Sequence, residues 1–237
     1  MLLVTLGGFI ALQLYTLLMI VGRGTLFRTK IYRPMIWNLF LSLSPLLIQL
    51  GAFIVLIILA ALINQAESVP QIFVTAVQVL VMLGIFIWAL FFPNATYLIT
   101  ELNFSHRKKD DTVPEYYDII MVFTLAATGV INALVSLSIF HLLILMISGP
   151  PTGSVPLASW LIVGLYALAS SFAIYLGREI RFNSWDLFHP LYFIKKLWQH
   201  FTHTAHQRRA LGYTLFFSGI LIIGHLIFFP LVYAALL

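Results

Sequence analysis

YDIIMVFTLAATGVINALVSLSIFHLLILMIS, Tyr117 to Ser148, decides the fold. The stretch holds no Lys, Arg or Glu, and its ionisable exceptions are Asp118 at its start and His141 deep inside. It exceeds the roughly 20 apolar residues that a helix needs to cross the hydrocarbon of a bilayer. Backbone amides in hydrocarbon must bond within their own segment, so a single run of this kind spans as an α-helix. Asp118, Leu125, Gly129, Asn132 and Ser136 then fall in one narrow stripe along it.

Five further runs read the same way: about 1–22, 35–63, 70–92, 155–177 and 212–236. Pro45 interrupts the second run, where the neighbouring serines are placed to satisfy the freed backbone groups. The six spans use nearly all of the 237 residues, so the expectation is a single integral membrane domain over 1–237. Only 9% of the chain is charged and 61% is hydrophobic. A soluble domain is roughly a quarter charged, so soluble enzymes are excluded, as is a β-barrel. Mean hydropathy is +1.01. The first run has no basic leader or cleavage site and reads as a retained span. With no cysteine, disulfides, thiolate metal sites and cysteine nucleophiles are excluded.

All 13 Lys and Arg fall in three connections. Arg23, Arg28, Lys30 and Arg33 follow span 1; Arg107, Lys108 and Lys109 follow span 3; Arg178, Arg181, Lys195, Lys196, Arg208 and Arg209 follow span 5. The positive-inside rule makes those connections cytoplasmic and both termini external, in a multi-pass protein of the cell membrane. Net charge of +5 then reflects loop bias and anionic headgroups rather than nucleic acid. Within 190–206, Leu191, Ile194, Leu197, Trp198 and Phe201 recur at helical spacing opposite Lys195, Lys196 and Gln199. The pattern predicts an amphipathic helix lying at the cytoplasmic interface. The fold class is therefore all-α, with six transmembrane helices and one interfacial helix.

Polar chemistry gathers on the cytoplasmic side in three clusters. Pro93 to Glu101 places Asn94, Tyr97 and Glu101 on one face if it is helical. Glu115-Tyr116-Tyr117-Asp118 opens span 4. Gly177 to Asp186 closes span 5, and Arg178 and Arg181 share a side if that helix continues. Asn183 and Asp186 complete the third cluster. Converging, these groups make a cytoplasm-facing pocket whose arginines clamp a phosphate or carboxylate. The competing reading pairs Glu101 and Asp118 with Arg178 and Arg181 as helix-end salt bridges. His141 and His225 read as hydrogen-bonded packing residues. His200, His203 and His206 read as a wet interfacial face, with no metal or cofactor implied. Gly129 and Ala133, and Ala169, Ala173 and Gly177, form small-residue stripes suited to close helix packing.

The three clusters also resemble a known family of bacterial inner-membrane proteins, the domain-of-unknown-function family thirteen sixty-one. The resemblance lies in Pro-Asn-Ala-x-Tyr-x-Ile-Thr-acidic at Pro93 to Glu101, in Tyr117-Asp118, and in Gly-Arg-x-x-Arg-x-Asn-Ser-Trp-Asp at Gly177 to Asp186. Thr96 stands where the family usually carries proline, and Glu101 where it carries aspartate. The resemblance implies a multi-pass membrane protein and brings no reaction with it.

Three functions fit the residues. The favoured one is binding or transport of an anionic small molecule or lipid headgroup. The next is a membrane-embedded enzyme acting on a lipid or lipid-linked phosphate, with Glu101 or Asp118 as acid and base. The third is a structural partner of another membrane protein or of a second copy. Titratable groups are scarce at mid-membrane, which argues against a proton pump or sodium symporter.

Overall fold

The computed structural model describes residues 2–64, 70–103, 113–148, 155–181 and 189–234. The long helices are α1 (Leu2–Leu26), α2 (Arg33–Asn64), α3 (Gln71–Phe91), α5 (Glu115–Ile147), α6 (Leu157–Tyr175) and α8 (Thr204–Ala234), with the short α4 (Pro93–Tyr97) following α3 and α7 (Pro190–Phe201) preceding α8. Among the described residues, six helical stretches are long and apolar enough to cross a membrane, and no strand occurs. The protein is an all-α, multi-pass membrane protein.

The chain divides into two compact units, 1–133 and 134–237. The long α5 contributes its first part to one and the remainder to the other.

In the first unit, Ile20 of α1, Met35 and Leu39 of α2, and Met121, Val122 and Leu125 of α5 bury a common core. Leu98, in the 3₁₀ turn Leu98–Asn103 that extends α4, packs into it as well. α2 runs unbroken through Pro45. Proline leaves the carbonyl four residues back, that of Leu41, without its helical donor. The Ser44 hydroxyl donates to that oxygen at 2.6 Å, as the sequence anticipated.

α1 runs past the expected boundary at Gly22 to Leu26. Arg23, assigned from sequence to the basic connection, therefore lies within the helix and is buried. The helix stops at a Schellman turn: Arg28 adopts a left-handed φ of 55°, and the Thr29 amide donates to Gly24 O at 3.1 Å.

In the second unit, α6 packs along α8 around Ala167, Ile174, Tyr175, Leu221 and Phe229, all buried. Two expectations about this unit are corrected. The amphipathic helix ends at Phe201 rather than continuing to 206, and α8 begins at Thr204 rather than near Gly212. The reason is local: Gln207 reaches back and its amide donates to Phe201 O at 2.8 Å, closing α7 and starting α8. α7 leaves Leu191, Ile194 and Trp198 exposed on its apolar side.

Candidate functional site

Pro93 begins a new helix where the sequence placed the end of span 3. Proline suits the first turn because it lacks the N–H that would be unpaired there. The segment is α-helical to Tyr97 and 3₁₀ from Leu98. Ala95, Thr96 and Leu98 are buried, while Asn94 and Tyr97 are half-buried. The Thr96 hydroxyl donates to Pro93 O at 3.2 Å. Thr100 does the same to Tyr97 O at 2.6 Å. The side chain of Glu101 lies outside the described residues.

Asp118 is fully buried and holds Arg23. Arg23 Nε donates to Oδ1 at 2.8 Å, and Nη2 reaches Oδ2 at 3.5 Å. Thr29 encloses the pair, accepting from Arg23 Nη1 at 3.3 Å and donating to Arg23 O at 3.0 Å. The Tyr117 hydroxyl donates to Met19 O at 2.9 Å. Sequence reasoning expected Asp118 to find a cytoplasmic ligand or Arg178 or Arg181, and overlooked Arg23. A signal was present: Gln13, Thr16, Ile20 and Arg23 follow one another at helical spacing down one face of α1.

That face meets the α5 stripe in a ladder of polar contacts. Gln13 Nε2 donates to Asn132 Oδ1 at 2.7 Å, and Asn132 Nδ2 donates to Ser42 Oγ at 2.8 Å. The Ser42 hydroxyl in turn donates to Leu39 O at 2.9 Å. The Thr16 and Thr128 hydroxyls meet at 2.7 Å. Asp118, Leu125 and Asn132 are completely buried, so this part of the predicted stripe is a helix-packing surface. In an apolar bilayer, close packing and interhelical hydrogen bonds hold helices together.

The third cluster departs from expectation in its backbone. The α6 helix does not simply continue; it widens into a π-turn over Leu176–Ile180 and ends at Arg181, whose φ of 56° is left-handed. The register that would align Arg178 with Arg181 is lost. Arg178 is half-buried and Arg181 exposed. Asn183 and Asp186 lie outside the described residues.

Below that turn, the buried Tyr175 hydroxyl lies 2.8 Å from His200 Nε2 of α7 and 3.3 Å from His206 O of α8. It joins the three helices. His200 and His206 rings lie 4.2 Å apart. Burial, then the neighbouring His206, pushes the His200 pKa down, with His203 adding to the effect and Glu179 opposing it. A histidine with a depressed native pKa binds protons more readily when undocked. Its docking is therefore complete above the ordinary value near 6.5 and weakens as pH falls from there toward the depressed value. Hydrogen exchange corrected for intrinsic rates should show α7 losing protection at about pH 5 relative to pH 7.5. His200→Gln should flatten that dependence, and an unchanged profile in the variant would assign it elsewhere.

No curated protein and no solved structure matches the chain. One family does, described as "Protein of unknown function (DUF1361)", and its match covers residues 37–223. That span takes in the Pro93, Asp118 and Gly177 clusters together, and the chain belongs to the DUF1361 family.

Proposed function

We propose that this protein binds an anionic small molecule or lipid headgroup at the cytoplasmic face of the cell membrane, with Arg178 and Arg181 as the anion contacts. The observation that carries the reading is the backbone at the end of α6. π-Turns are rare and concentrate at functional sites, and a left-handed non-glycine residue costs on the order of 1–3 kcal/mol. Both occur within Leu176–Arg181, and both displace an arginine from the course of a regular helix. Guanidinium groups suit phosphate and carboxylate through paired N–H donors. Lys195 and Lys196 of α7 follow closely in sequence and add positive charge. On this reading the three basic connections are cytoplasmic, both termini are external, and α7 rests on the membrane surface.

The reading predicts that anionic species co-purify with the wild-type protein in mild detergent. The Arg178→Ala, Arg181→Ala variant should retain about tenfold less of them, consistent with losing charge-assisted hydrogen bonds. Mass spectrometry of the bound small molecules, beside a thermal melt to establish folding, makes the comparison. Identical spectra from a folded variant would remove the anion site.

A further inference from the structure

At the opposite end of α6 from Arg178, a second polar group is buried among apolar side chains. Ser159 Oγ donates to Pro156 O at 2.7 Å, which uses its only proton. His141 Nε2 lies 2.9 Å from Ser159 Oγ and must therefore be the donor there. With uncharged rings, as burial without a counter-charge favours, His141 Nδ1 is an acceptor. His225 Nε2, 3.0 Å away, is then its donor. Every bond direction in the chain follows from the serine. At its end, His225 Nδ1 carries a bare lone pair, buried and without a hydrogen-bond partner. His141 and His225 are both at least 98% buried, and His141 is stacked on Phe229 with ring centres 4.0 Å apart.

His225 also lines a cavity of about 350 Å³ bounded by α5, α6 and α8. Among the described residues, His225 and Trp160 supply the polar side-chain atoms on its wall; Leu161, Leu165, Ile222 and Leu226 are among the rest. Leu161, Leu165 and Leu226 are more than half exposed on the outer surface of their helices, so the cavity is reached from the bilayer. Its volume is within the range of small-molecule sites.

We infer that this cavity binds a lipid-soluble molecule bearing a hydroxyl group, which donates to His225 Nδ1 while its apolar body fills the groove between α6 and α8. The acceptor decides the class. A lone pair in an apolar wall needs a donor, a charged donor is penalised by the surroundings, and a hydroxyl is the neutral donor that lipid-soluble molecules carry. An unsatisfied buried acceptor is otherwise costly. This site is independent of the proposed anion contacts.

The test uses the full chain in lipid nanodiscs and two photoreactive probes, a diazirine-bearing long-chain alcohol and its methyl ether. Peptides carrying Leu161, Leu165 and Leu226 should be labelled by the alcohol about fivefold more than by the ether, the worth of one net hydrogen bond. Gly164 lies on the cavity wall, and a Cβ there meets nothing within 4 Å. Gly164→Leu should fill the groove and bring alcohol labelling down to background with the fold intact. His225→Phe should abolish the preference for the alcohol. Equal labelling by the two probes in the wild type, absence of labelling by either, or full labelling of Gly164→Leu would overturn the inference. The wild-type comparison of the two probes and the Gly164→Leu variant decide it even if His225→Phe does not fold.

Discussion

Arg23→Leu should destabilise the protein by ~3–5 kcal/mol, the usual consequence of removing one partner from a buried ion pair. The substitution takes the guanidinium from a carboxylate 2.8 Å away that has no exposure at all. Asp118→Leu should have a comparable effect, since it takes the carboxylate from the buried guanidinium instead. The double variant Arg23→Leu, Asp118→Leu buries no charge at this position and should recover much of the loss. Unfolding of all four proteins in one detergent gives the coupling directly. Additive single effects would mean that the two side chains act independently, against the geometry.

Gly129→Ala should cost about 2–3 kcal/mol, a large effect for one methyl group. A Cβ at this position stands 2.8 Å from Leu98 Cβ and 2.9 Å from Ala95 O. The second contact is backbone and the first is fixed to it, so no rotamer change relieves either. The glycine lets α5 approach the turn that begins at Pro93, and its loss pries that segment away. Gly51→Ala is the matching control, because a Cβ there meets nothing within 4 Å. It should shift stability by no more than about 0.5 kcal/mol. Thermal melts followed by size-exclusion chromatography separate the two. Equal melting temperatures would show that α5 has room at Gly129 that the structure denies.

The small-residue stripe containing Gly129 was legible because glycine and alanine at helical spacing predict close approach. The partner was not, since spacing within one helix carries no information about what lies opposite. Pro45 shows the reverse case. Its freed carbonyl and the serine that satisfies it are four and one residues away, so the repair could be read from the chain alone. Gly177 to Arg181 lies in between. Its arginines and its position at a span end were evident, but the π-turn was not, because apolar periodicity does not report which carbonyl each amide selects.

The sequence by itself determined that the protein is an all-α membrane protein with six helices long and apolar enough to cross a bilayer, and where those helices lie to within a few residues at most ends. Bilayer thickness and the need to satisfy every backbone amide leave one answer for apolar runs of this length. It also marked Asp118, Asn132, His141 and His225 as polar exceptions. Only the tertiary structure decided their partners: Arg23, Gln13 with Ser42, Ser159, and one another. Those pairs join residues from 18 to 119 positions apart along the chain. A hydrogen bond depends on a separation of about 3 Å in space, and nothing in local sequence encodes which distant helix will supply it.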